Sequence, residues 1–248
     1  MAENIWVVLA VSLSGPLLGS LAGVLIRPRP AGMYAMLSFA GGTMLAISFL
    51  EMLPESLAMC GAPATIAGIL VGLLVMLLLT EVFPHLRGNT SIEDAGKVEM
   101  ENLSLLMVAA IFLHNFPEGM AMASGASMSQ GGKMLFLAVA LAVHDIPEGI
   151  CTSAPYYYAT GRRLKAFLLS ASTALPVLAG FFLGRKVFAG LSDFTMGTII
   201  AAIAGLMIYV SCEELIPTSQ KGDHPRFSMT ALMMGIIVVL VMGMLEKG

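Results

Sequence analysis

Charge is what this chain has least of. Asp, Glu, Lys and Arg make up 12% of its 248 residues, about half the share found in a typical soluble domain. A water-soluble globule is therefore the wrong expectation. No basic tract interrupts the sequence and the formal net charge is −3, so the electrostatic footprint of a nucleic-acid binder is missing. Cysteine is equally scarce. Cys60, Cys151 and Cys212 stand far apart, which leaves neither a disulfide framework nor a zinc-ribbon spacing. Long polar linkers are also lacking, apart from HLRGNTSIEDAGKVEMEN at 85–102. Nothing sets off a second domain, and the expectation is one unit over 1–248.

What is abundant is apolar. Residues of the AVILMFWYC set make up 57% of the chain and the mean hydropathy is +0.87. Apolar runs and their breaks outline eight candidate spans at 4–26, 33–57, 62–84, 102–128, 134–158, 165–184, 195–219 and 227–246. Such runs reach the roughly 20 residues that cross a bilayer core. Backbone polar groups in lipid must be satisfied internally, so the spans should be helices. Their repeated Gly, Ala and Ser suit close helix packing. The first run has no positively charged region ahead of it and exceeds a signal-peptide core, so it reads as a span. The expected fold is an all-α, multi-pass integral membrane protein of eight transmembrane helices.

Eight spans place both termini on one side. The loops on the other side hold Arg27, Arg29, Arg87, Lys97, Arg162, Arg163, Lys165, Lys221 and Arg226, which is 9 of the 13 basic residues. Basic loops stay cytoplasmic, so both termini are expected outside, with 85–102 a flexible cytoplasmic loop and the protein in the cell (inner) membrane. A weak internal repeat accompanies this topology. GTMLAISFLEMLPES at 42–56 and GLMIYVSCEELIPTS at 205–219 align without gaps at Gly42/Gly205, Met44/Met207, Ser48/Ser211, Glu51/Glu214, Pro54/Pro217 and Ser56/Ser219. The two copies would run in opposite directions. Spans 1–3 and 6–8 then form an inverted repeat around spans 4 and 5, a recurring transporter plan with its site near the midplane.

The polar residues inside the spans are few and patterned. HNFPEG stands at 114–119 and HDIPEG at 144–149. His114 and Glu118, and likewise His144 and Glu148, are four residues apart and share one helix face. Pro117 and Pro147 remove a backbone N–H and crowd the carbonyls of Leu113 and Val143, so a kink is expected at each. Asn115 and Asp145 stand beside the histidines. An ionisable group in mid-membrane costs roughly 2.5–3.5 kcal/mol even on insertion scales and marks an ion or proton path. Crowded carboxylates would be largely protonated without a neutralising partner, and a divalent cation is such a partner. Imidazole with carboxylate suits Zn2+, Fe2+, Mn2+ or Cd2+ better than calcium or magnesium. A bis-histidine haem on His114 and His144 is the alternative, although it gives the two glutamates no role. A zinc protease would need two histidines on one helix with a glutamate between them, so the chain reads as a non-enzyme with no catalytic cofactor. Glu51, Glu81, His85, Glu213 and Glu214, near span ends, are either boundary residues reaching water or the two ends of a metal path. Glu55 is of the same kind, and Asp223 and His224 read as solvated. The 20 methionines read as packing residues.

At the two hexapeptides the chain resembles the ZIP family of divalent metal transporters, in its compact bacterial-type form. The resemblance implies eight spans, extracytoplasmic termini and uptake of zinc, with iron, manganese or cadmium tolerated. It implies a first metal position of His114, Glu118, His144 and Glu148. Asn115 and Asp145 would form a second, with Glu118 and Glu148 bridging. Two departures stand out. Asp145 takes a place where many members have asparagine. Leu175, in STALPVLAG, precedes Pro176 where some members carry a glutamate. Partners implied are metal ions and the lipid bilayer, with a homodimer left open.

Overall fold

The computed structural model describes residues 5–25, 30–82, 95–127, 133–187, 192–221 and 224–247, although some side chains within these helices, those of His114, Glu118 and His144 included, lie outside the described set. The described chain is helical apart from short turns. In order it forms α1 (Ile5–Leu25), α2 (Pro30–Ile47), α3 (Leu53–Val82), α4 (Ala95–Ser127), α5 (Lys133–Thr160), α6 (Arg163–Ala171), α7 (Ala174–Val187), α8 (Asp193–Tyr209), α9 (Ile216–Ser219) and α10 (Pro225–Lys247). Among the described residues, five stretches are long and apolar enough to cross a membrane: Ile5–Leu25, Tyr34–Leu78, Arg163–Gly184, Asp193–Ser219 and Pro225–Met244.

The burial pattern is the one a bilayer requires. On α1, Leu17, Leu18, Leu21 and Leu25 face outward while Ser12, Gly15, Gly19, Ser20 and Gly23 are buried. Large apolar groups gain nothing by leaving lipid, so the interior goes to small residues and hydroxyls. Methionine fills what remains. Met44, Met76, Met107 and Met207 are fully buried in the cluster joining α2, α3, α4 and α8, in keeping with the packing role read from the sequence.

Four helix pairs carry most of the packing: α1 on α5, α4 on α7, α2 on α10 and α3 on α8. Glycine makes each approach possible. A methyl at Gly15 or Gly19 would run into the carbonyls of Ala142 or Ile146 on α5, one at Gly119 into Val177, one at Gly42 into Leu232 and one at Gly72 into Ala202. With α6 packed on α1 and α5, the helices sort into a group of α1, α4, α5, α6 and α7 and a group of α2, α3, α8, α9 and α10. Spans 1 and 6 pack against the motif helices, because their small-residue faces meet those of α5 and α4.

Three local departures also matter. The helical path runs on past the second apolar run and turns at Gly61, φ +74°, a left-handed conformation that suits glycine. The span expected over 165–184 is two helices, separated by Ser172 and Thr173. Pro176 favours a break, since it has no N–H and its ring crowds the carbonyl four residues back, and here the turn is closed by Thr173 N donating to the Ser170 carbonyl and Leu175 N to that of Ser172. By contrast α5 continues as helix through Pro147 and Pro155, and α4 through Pro117, so the motif prolines do not end their helices. Finally, α2 passes into α3 through a π-helical turn, Ser48–Met52, and α8 into α9 through another, Val210–Leu215. Ser48 donates to the Met44 carbonyl and Ser211 to that of Met207, both at 2.8 Å.

Candidate metal site between the motif helices

Helices α4 and α5 pack on each other, with α7 against the first and α1 against the second. This places Asn115, Asp145 and Glu148 in the interior at 1%, 1% and 3% exposure. One amide and two carboxyls are thereby withdrawn from water, and the ionised form of each acid loses several kcal/mol of solvation on an order-of-magnitude scale. His114 and Glu118 sit one turn apart on α4, and His144 lies four residues before Glu148 on α5. The structure thus buries Asn115 on α4 and Asp145 and Glu148 on α5. Among the described side chains alone, no group of three or more His, Cys, Asp or Glu comes together as a metal cage.

Asn115 is held in one orientation. Its Nδ2 donates to the carbonyl of Thr173 at 2.7 Å, which identifies the amide's two ends. Its Oδ1 is buried with no hydrogen-bond partner among the described residues, a state that normally costs about 1–3 kcal/mol. An amide oxygen free to accept is what a cation would use.

Below Glu148 the main chain is tied to its neighbours by hydroxyls. Thr152 Oγ1 donates to the carbonyl of Glu148 at 3.1 Å, and Ser170 Oγ to that of Gly149 at 3.0 Å. Ser170 also bonds to Thr152 and lies 2.6 Å from Ser20 of α1, while Ser104 of α4 donates to the Thr152 carbonyl. Sequence reasoning passed over these hydroxyls. The signal lay in plain view: Ser and Thr just ahead of Pro176, and Thr152 one turn after Glu148.

The remaining candidates spread along the helices. Glu51 is exposed in the first π-helical turn, its carboxylate lying beside α10 near Gly243. In the second π-helical turn Glu213 is exposed and Glu214 half-buried. Such turns recur at functional positions in helices. Glu55 and His224 are exposed. The side chain of Glu81, and His85 and Asp223 altogether, lie outside the described residues. Leu175 is 58% exposed and faces away from the site, so it supplies nothing to it.

Fold and burial together define an integral membrane protein with an acidic interior. Comparison with known proteins makes this specific. The family model described as ZIP Zinc transporter matches residues 90–243. A protein named Zinc transporter ZupT from Chlorobium chlorochromatii is 32% identical over 267 residues, covering 97% of this chain and 98% of that protein. Proteins of the same name from Chlorobaculum parvum and Corynebacterium aurimucosum are each 34% identical, covering 90% and 94% of this chain and 90% and 93% of their own lengths. The chain belongs to the ZIP zinc transporter family. The resemblance carried by the two hexapeptides therefore holds, and the haem alternative falls away.

Proposed function

We propose that this protein carries divalent transition-metal cations across the membrane into the cytoplasm, zinc first and iron, manganese or cadmium as further cargo. The observation that carries this is the burial of Asn115, Asp145 and Glu148 on two helices packed against each other. Metal would pass through His114, Glu118, His144 and Glu148, with Asn115 and Asp145 completing an adjoining position. A cation there offsets the cost of the buried carboxylates, and oxygen and imidazole donors suit zinc. Relatives named as zinc transporters over nearly the whole length support the cargo.

The architecture we propose has eight spans. Dividing the Tyr34–Leu78 stretch at Gly61 turns the five apolar stretches into six, and α4 and α5 bring the number to eight. The inverted repeat is supported by packing. Exchanging α1 with α6–α7, α2 with α8, α3 with α10 and α4 with α5 converts the α1–α5 pair into α7–α4 and the α2–α10 pair into α8–α3. The π-helical turns and their serine hydrogen bonds exchange as well. Extracytoplasmic termini are supported by basic residues beside aromatics at one end. Arg163 lies over the Tyr157 ring at 5.3 Å and Lys165 over Tyr156 at 5.9 Å, an interfacial pairing on the basic, cytoplasmic side.

For transport we favour alternating access. The group holding the motif helices (α1, α4–α7) would move against the other (α2, α3, α8–α10), admitting metal past Glu51 and releasing it toward Glu213 and Glu214, with Glu81 and His85 near the same exit. Between the groups lies an open apolar groove of ≈ 550 Å³, lined by Phe39, Ile146, Pro147, Phe227 and Val239 among others. Competition uptake in proteoliposomes tests the function. Saturable zinc entry, reduced by excess iron(II), manganese or cadmium, is expected. Zinc flux no greater than in protein-free vesicles would overturn the proposal.

A further inference from the structure

The break between α6 and α7 does more than interrupt a span. Thr173 N donates to the Ser170 carbonyl and Leu175 N to that of Ser172, both at 3.0 Å, so the chain makes one tight turn ahead of Pro176. The carbonyl of Thr173, next in line, meets the amide of Asn115 on α4 at 2.7 Å. Three residues earlier, Ser170 Oγ reaches the carbonyl of Gly149 on α5, directly after Glu148. Thr173 Oγ1 donates to the Ser170 carbonyl at 2.8 Å and links the two ends. One short segment therefore grips both motif helices, each within one residue of a buried polar group of the site.

We propose that this segment is a cross-brace, with Thr173 and Ser170 as positioning residues that set the separation of the two motif helices and turn Asn115 Oδ1 toward the metal. The proposal rests on the site reading above. Its physical logic is that of partners behind a metal's ligands, which fix ligand orientation and typically change affinity or activity by about 10–100-fold when removed. The brace uses the amide's N–H group and so leaves the oxygen as the only end available to a cation. Because Leu175 faces outward, this segment serves the site through its main chain and not through a side-chain ligand. A brace that holds the oxygen donors at one spacing also gives the chain a means of discriminating ions by radius, zinc against the larger cadmium.

The test uses full-length protein carrying Thr173→Val or Ser170→Ala, one at each end of the brace, with Thr173→Ser as the conservative control. Zinc and cadmium uptake are measured in proteoliposomes, and cobalt(II) binding is followed in detergent by its visible absorption. Each of the two variants should raise the KM for zinc about tenfold with little change in maximal rate. Each should also lower the zinc-to-cadmium preference and alter the cobalt spectrum, while Thr173→Ser stays near wild type. Should one variant fail to fold, the other carries the same expectations. Glu148→Ala runs alongside. If it transports zinc normally, the site reading fails and the brace with it. If it abolishes uptake while both brace variants keep wild-type KM, metal preference and cobalt spectrum, only the brace is overturned, whatever their melting temperatures.

Discussion

Replacing Gly149 with alanine is a severe test of how the motif helix is seated. A Cβ at this position would lie 2.7 Å from the carbonyl oxygen of Pro16 and 2.7 Å from the backbone nitrogen of Ser20, where ordinary contact begins at 3.4 Å. Both obstacles are main chain on α1, so no side chain can swing aside, and the helices must separate by about 0.7 Å. Overpacking of this kind costs about 1–3 kcal/mol. At roughly 2–4 °C per kcal/mol for a chain of this size, the melting temperature should fall by about 2–12 °C. The same displacement lengthens the 2.6 Å contact between Ser20 and Ser170, so zinc uptake should fall as well. Thermal unfolding of the detergent-solubilised protein, paired with uptake in proteoliposomes, measures both. An alanine variant with unchanged melting temperature and unchanged uptake would refute the close seating of α1 on α5.

Other perturbations address the path and the movement. Glu214→Ala should slow zinc uptake several-fold, on the order of the 1 kcal/mol that one favourable charge contact supplies, without abolishing it; complete loss would make Glu214 a ligand and not an exit group. Met36→Cys introduces a thiol on α2 at the residue whose carbonyl lies 3.5 Å from Cys151 Sγ. Oxidation of that pair should stop uptake and reduction restore it, whereas full crosslinking with normal flux would contradict relative movement of the two helix groups.

Much of this arrangement is legible in the sequence. Residues 4–26, 195–219 and 227–246 foretold α1, α8–α9 and α10 to within a few residues, because lipid leaves a long apolar run few options. The hexapeptides were conspicuous for the complementary reason, since a mid-span carboxylate is expensive. Other features depend on contacts that hydropathy does not register. Pro176 divides its span, whereas Pro147 and Pro117 leave theirs continuous, and local sequence treats all three alike. The pairing of α1 with α5 follows from which faces present Gly15, Gly19 and Gly23, and only the packed structure shows what they meet. Thr173 has no sequence signature for this role because its contribution is a main-chain carbonyl, common to every residue and made useful by the turn that exposes it.

The central claim is that metal crosses by way of the polar groups on α4 and α5. The most direct measurement is zinc uptake by purified His144→Ala and Glu148→Ala proteins in proteoliposomes, at matched reconstitution and with helical content checked by circular dichroism. The account predicts that both fold, insert and lose zinc flux down to the protein-free background. Normal flux through both variants would contradict it.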